Sequence, residues 1–151
     1  MRYFLDTEYD GFGGPLLSLA LVPEDGGEEF YIVIAHDAVR DEWVARNVIP
    51  FLDMVPEQLK GPRLSREAAA EALAHWLAFD EAPDVIADWP EDLAQLSMLL
   101  VTGPGKMVHM HELTLRFVPL AGFSTAANSK VPHNALHDAR ALREHILSLE
   151  L

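Results

Sequence analysis

Asp6 and Glu8, in the stretch FLDTEYDG, stand two residues apart at the end of an apolar run, so on an extended chain both carboxylates point to one face. Two further acids occupy positions where helices carry apolar residues. Along PEDLAQLSMLL, Asp92 precedes Leu96 by four and Leu99 by seven; along ALHDARALREHILSL, Asp138 precedes Leu142 by four and Ile146 by eight. Each heads a stripe that should face the core. Four carboxylates gathered in a partly desolvated place repel one another by several kcal/mol or take up protons. Divalent cations resolve that conflict. The chain has no cysteine, so ligands are limited to carboxylate oxygen and imidazole nitrogen, a set that suits Mg2+ or Mn2+. Two such ions about 4 Å apart serve in-line displacement at phosphorus. His133, five residues before Asp138 and just outside the start of the last helix, offers an imidazole suited to taking a proton from water near neutral pH.

Other residues fall around this set. Tyr9 and Phe12 lie in the Gly-rich turn YDGFGG, where an aromatic ring can stack on a terminal base, a contact worth about 1–3 kcal/mol; for Phe12 a hydrophobic plug at a hairpin end is the equal alternative. The backbone amides of EYDG, residues 8–11, can meet a terminal sugar or phosphate. Asp88 is read first as the N-cap of the helix that follows, and second as a site residue. His109 and His111 share a face of an expected strand but have no third ligand at characteristic spacing, so they are read as structural. His137 and His145 are read as exposed helix positions. Arg40, Arg46, Arg63 and Arg66 are the candidates for basic residues that one subunit of a dimer could supply near the other's site.

These residues need a scaffold. Arg2 to Thr7, GGPLLSLALV and EEFYIVIA read as three strands joined by short turns, hence antiparallel. An irregular excursion follows from His36 to Gly61, with a short helix expected over Asp41 to Asn47. Ser65 is a good N-cap for a helix carrying Ala69, Leu73, Trp76 and Leu77 inward. PDVIAD reads as a buried strand, and the next helix accepts Pro90 in its first turn. KMVHMHEL is expected to be a strand, and Thr114 to Pro132 a loop with short helical pieces. The last helix should turn Leu136, Ala139, Leu142, Ile146 and Leu149 inward. The expected fold is α/β: a central mixed sheet with helices against it.

The 151 residues suffice for one domain. No run reaches the roughly 18 apolar residues of a membrane span, and the first strand begins straight after Met1 and Arg2, so the expectation is a cytoplasmic protein without membrane contact. Eleven basic residues against 24 acidic ones give a net charge of −13, which argues against a broad basic face for coating nucleic acid. An enzyme gripping terminal nucleotides through metal ions needs few lysines.

The three motifs, in this order, resemble those of the DEDDh 3′ to 5′ exonucleases, whose fold is RNase H-like. FLDTEYDG is similar to the first motif, ADWPEDLAQL to the second, with Asp92 as the ligand, and HNALHDA to the third, His-x-Ala-x-x-Asp-Ala. Asp88 stands where the second motif commonly carries Asn. The resemblance covers nearly the whole chain and looks closest to small stand-alone RNase T-like exoribonucleases. It implies one exonuclease domain over residues 1–151 and two divalent cations held by Asp6, Glu8, Asp92 and Asp138. It also implies His133 as base, a nucleic acid 3′ end as substrate, RNA ahead of DNA, and a C2 homodimer. Thr7, Tyr9, Phe12 and Asp88 are the candidate substrate contacts. Two alternatives stay open: a catalytically silent binding module of the same fold, and a small-substrate phosphodiesterase or oligonucleotide hydrolase.

Overall fold

The computed structural model describes Met1–Glu150. Strand β1 (Arg2–Tyr9) returns through a tight turn into β2 (Leu16–Pro23), and EDGG leads into β3 (Phe30–Val33). The turn after β1 depends on glycine. A Cβ on Gly14 would lie 1.9 Å from the Asp10 carbonyl oxygen, and the Gly14 amide donates to the Gly11 carbonyl at 2.9 Å. The β1–β2 register slips between Glu8 and Tyr9, a bulge of the kind that re-aims side chains.

The excursion after β3 contains α1 (Glu42–Asn47), N-capped by Asp41, and two single 3₁₀ turns. Ser65 caps α2 (Arg66–Leu77), which leads to β4 (Asp84–Ala87) and α3 (Pro90–Leu99). A small hairpin of β5 (Val101–Gly103) and β6 (Lys106–Met107) precedes β7 (Thr114–Phe117), the short α4 (Thr125–Asn128) and the long α5 (Ala135–Leu149). The five-stranded sheet has the order β3-β2-β1-β4-β7. β1 pairs antiparallel with β2, and β2 with β3, whereas β4 lies parallel to both β1 and β7.

Helices cover both faces. Tyr3, Leu5, Leu19 and Leu21 pack with Ala69, Leu73 and Leu77 of α2 and Leu96 and Leu99 of α3. On the other face Leu17, Ala20 and Val22 meet Val44 of α1 and Leu136 and Ala139 of α5, and Phe4 and Ile86 meet Leu142 and Ile146. With cover on both sides, β1 and β2 are buried runs rather than alternating ones. Among the described residues no helix is long and apolar enough to cross a membrane.

Three expectations need correction. Within KMVHMHEL only Lys106–Met107 is a strand, paired with β5 outside the main sheet, while Val108, Met110 and Leu113 pack loosely on the core. The fifth strand of the main sheet is Thr114–Phe117, inside the segment expected to be a loop. All four of its residues are exposed, so this edge strand has no burial pattern to write into its sequence. Leu149, expected inward, is 64% exposed at the last residue of α5.

Candidate active site

The carboxyl ends of the parallel strands β1 and β4 open into a cleft of about 720 Å³, where open α/β sheets commonly place their ligands. Alternation along β1 sends Tyr3, Leu5 and Thr7 toward α2 and α3, and Phe4, Asp6 and Glu8 toward α5. Asp6 and Glu8 thereby face Asp138, which lies in the first turn of α5. From the opposite face Thr7 holds Asp92: its amide and hydroxyl both donate to Asp92 Oδ1, at 3.1 and 2.5 Å. Asp88 joins the cleft from the end of β4.

The entry to α5 is firmly built. Asn134, fully buried, caps the helix by accepting from the amides of Leu136 and His137, and its Nδ2 donates to the Phe51 carbonyl at 2.8 Å. His133 just before it has φ 64°, an uncommon conformation for a residue with a side chain. Its amide donates to Asp138 Oδ2 at 3.2 Å, and its ring meets the edge of Trp43 at 4.7 Å between centroids. Glu8, His133 and Asp138 offer ligand atoms that all lie within 4.8 Å of one another, the one such trio among the described residues.

Electrostatics set this cluster apart. Burial, followed by repulsion from Asp92, Glu8 and Asp138, pushes the Asp6 carboxyl well above the ordinary range. Burial and the charges of Asp138 and Asp92 push Glu8 up to about 9. Burial raises Asp92 to about 7 against the opposing hydrogen bonds from Thr7, and burial raises Asp138 and Asp88 as well. Among the described residues no lysine or arginine lines the cleft. Asp6 Oδ2 and Asp138 Oδ1 are buried without a hydrogen-bond donor. Buried polar atoms are almost always satisfied, so two orphaned carboxylate oxygens in an all-oxygen and imidazole donor set fit a hard divalent cation.

The other candidates divide. Tyr9 lines the cleft, and burial with the nearby charges of Asp92 and Glu91 raises its hydroxyl pKa. Thr7 touches the cleft, but its hydroxyl and amide are engaged by Asp92, so it positions that acid and has no donor left for substrate. Asp88 does not cap α3: the N-cap is Trp89, with no side-chain cap, and Asp88 turns into the cleft instead. Phe12 is neither plug nor wall of this cleft. It is 100% exposed and borders a separate hollow with Pro90 and Met98. His137 is half-buried, with Nε2 donating to the Met54 carbonyl at 2.8 Å, and His145 stacks on Phe123 at 3.9 Å, so neither is a simple surface position.

Sequence reasoning missed the aromatic wall. Trp89, 59% exposed, and Phe117 line the cleft beside the acids, with Phe123 behind them. Trp89 left a faint signal, an aromatic between Asp88 and Pro90 whose extended backbone at the helix entry turns the ring outward. Phe117 left none, since its strand was not recognised.

No family model matches the sequence. Part of the chain is similar to the nonribosomal peptide synthetase ecdA of Aspergillus rugulosus, 34% identical over 91 residues that cover 53% of this chain. The chain spans about 1% of that synthetase's length.

Proposed function

We propose that this chain is a metal-dependent 3′ to 5′ exonuclease of the DEDDh type on an RNase H-like fold, releasing nucleoside 5′-monophosphates from RNA 3′ ends. One observation carries the reading: Asp6, Glu8, Asp92, Asp138 and His133, from three distant parts of the sequence, line a single cleft that contains no internal cation. Asp6, Glu8, Asp92 and Asp138 would hold two Mg2+ or Mn2+ ions. When bound, such ions polarise the phosphate and favour ionisation of water at neutral pH. His133 takes the proton of the water that attacks phosphorus, and the bond to the 3′ oxygen of the penultimate nucleotide breaks. Thr7 keeps Asp92 oriented, and the Asn134 cap keeps His133 and Asp138 in register. Trp89 and Phe117 offer ring faces to the terminal bases.

Purified protein with Mn2+ is expected to release mononucleotides from single-stranded or 3′-overhanging RNA, and Asp138→Ala to release none. A panel of matched RNA and DNA, single-stranded, overhanging and blunt, with a known exonuclease as control, tests it. Absence of mononucleotide product on every substrate would refute the reading. The net charge of −13 favours one second reading, hydrolysis of very short oligonucleotides, and rates on dinucleotides against longer chains separate the two. A C2 homodimer belongs to the proposal and is tested by sedimentation.

A further inference from the structure

The eight arginines of the chain are not equivalent. Arg2, Arg63, Arg116 and Arg140 pair with carboxylates, and Arg46 and Arg143 donate to main-chain carbonyls. Arg40 and Arg66 are the two without either kind of partner among the described residues, although the chain carries 24 acids. Both line one hollow of about 580 Å³, together with His36. In a chain this acidic, two arginines without a partner on the lining of one hollow need a reason.

The hollow adjoins the acid cleft. Tyr9 lines the cleft and Asp10 lines the hollow, so the turn after β1 is the ridge between them. The cleft opens at the carboxyl ends of β1 and β4, and the hollow between the turn after β1 and the segment that follows β3. Arg66 is the first residue of α2, so the positive end of a twelve-residue helix adds to its charge. The acids on the hollow are Asp10 and Asp37. Asp10 is engaged: its carboxylate accepts the amides of Arg40 and Asp41 at 2.9 and 3.0 Å, which stiffens the ridge and holds Arg40 at its rim. With two arginines against two aspartates the hollow is close to neutral, unlike the acid cleft beside it.

We propose that this hollow binds the phosphodiester backbone of a single-stranded polynucleotide, a few nucleotides upstream of the 3′ end held in the cleft. A guanidinium matches phosphate oxygens in a two-pronged geometry and keeps its charge at any working pH. The strand's direction rests on the exonuclease reading; the hollow's affinity for phosphate does not. On this assignment the substrate is a chain, not a dinucleotide.

The test compares wild type with Arg40→Gln/Arg66→Gln and with the charge-keeping Arg40→Lys/Arg66→Lys. Both side chains changed are exposed, and circular dichroism with the lysine variant guards against misfolding. Binding of a fluorescent RNA of about 12 nucleotides is followed by anisotropy with Ca2+ present, between about 50 and 200 mM salt. The glutamine variant is expected to bind about tenfold more weakly at low salt, and its plot of log affinity against log salt to be flatter by about 1.4, or about 0.7 per lost phosphate contact on a single strand. The lysine variant should keep most of that slope. With Mn2+, the glutamine variant's loss in kcat/KM on the 12-mer should exceed its loss on a dinucleotide by about tenfold. Wild-type affinity and slope in the glutamine variant would overturn the hollow while leaving a measured hydrolysis intact. Charge-dependent binding without any hydrolysis by wild type would keep the hollow and remove the exonuclease reading.

Discussion

The two ends of β1 handle charge in opposite ways. At its start Arg2 bonds Glu24 and Glu150 through four hydrogen bonds of 2.5–3.0 Å, and Asp80 takes both the N-terminal ammonium and the Tyr3 hydroxyl at 2.9 Å. There the Arg2 guanidinium holds the carboxyls of Glu24 and Glu150 below their usual range. Four and six residues along, Asp6 and Glu8 meet three more acids and, among the described residues, no lysine or arginine, and their carboxyls are pushed up. The same strand therefore shows that this chain can neutralise its own acids where it gains from doing so. The cleft is left unneutralised, and on the proposed reading an outside cation would complete it.

Breaking the unpaired end should have the largest effect. Asp6→Asn is expected to reduce the proposed exonuclease activity by more than about 10³-fold, since electrostatic stabilisation is the dominant catalytic contribution at sites of that kind. The same substitution should raise the melting temperature of metal-free protein at pH 8, because one member of a mutually repelling buried set is gone. A lower melting temperature would mean the acids are not in conflict. Metal should act in the same direction. Mn2+ at about 100 times its Kd stabilises by about 2.7 kcal/mol, or roughly 5–10 °C for a domain this size, by differential scanning fluorimetry. No shift would count against a metal centre.

The ends also differ in pH response. Asp92 moves from 3.8 to about 7 and Glu8 from 4.5 to about 9, so the folded chain holds protons there that the unfolded chain releases. Their contribution to stability is complete below about pH 4 and is lost as pH climbs through 7 and 9. Metal-free protein should therefore melt several degrees lower at pH 9 than at pH 6, and Mn2+ should reduce the difference. Glu24 and Glu150, shifted downward, contribute above their ordinary range and lose that contribution only in acid.

Among the aromatics, Trp89→Ala should raise KM by about 5- to 150-fold, from a stacking contact of about 1–3 kcal/mol, and Phe12→Ala should change it less than about twofold. Equal effects would return the terminal base to the Gly-rich turn. The smallest effect belongs to the paired end: Glu150→Gln should leave hydrolysis at its wild-type rate and shift the melting temperature by less than about 2 °C.

Legibility followed the range of the interactions. The helix from Ser65 and the stripes headed by Asp92 and Asp138 were readable because helical periodicity is local, and each stripe needs only a core to face. The strand at Thr114–Phe117 was not, because an exposed edge strand is held by main-chain hydrogen bonds to β4 that leave no side-chain pattern. Asp88 misled for a related reason: N-cap geometry depends on one residue of backbone, and the helix begins one position later than its acid suggests.

By itself, the sequence determined the chemistry available: acids at strand and helix spacing, one histidine before the last helix, no thiolate, and a surplus of negative charge. Those are properties of residue type and near-neighbour order. Only the tertiary structure decided which acids stay unpaired, that Trp89 and Phe117 rather than Phe12 wall the cleft, and that Arg40 and Arg66 share a hollow while Arg63 is tied to Asp53. Pairing and exposure are set by partners tens of residues away, and sequence spacing carries no record of them.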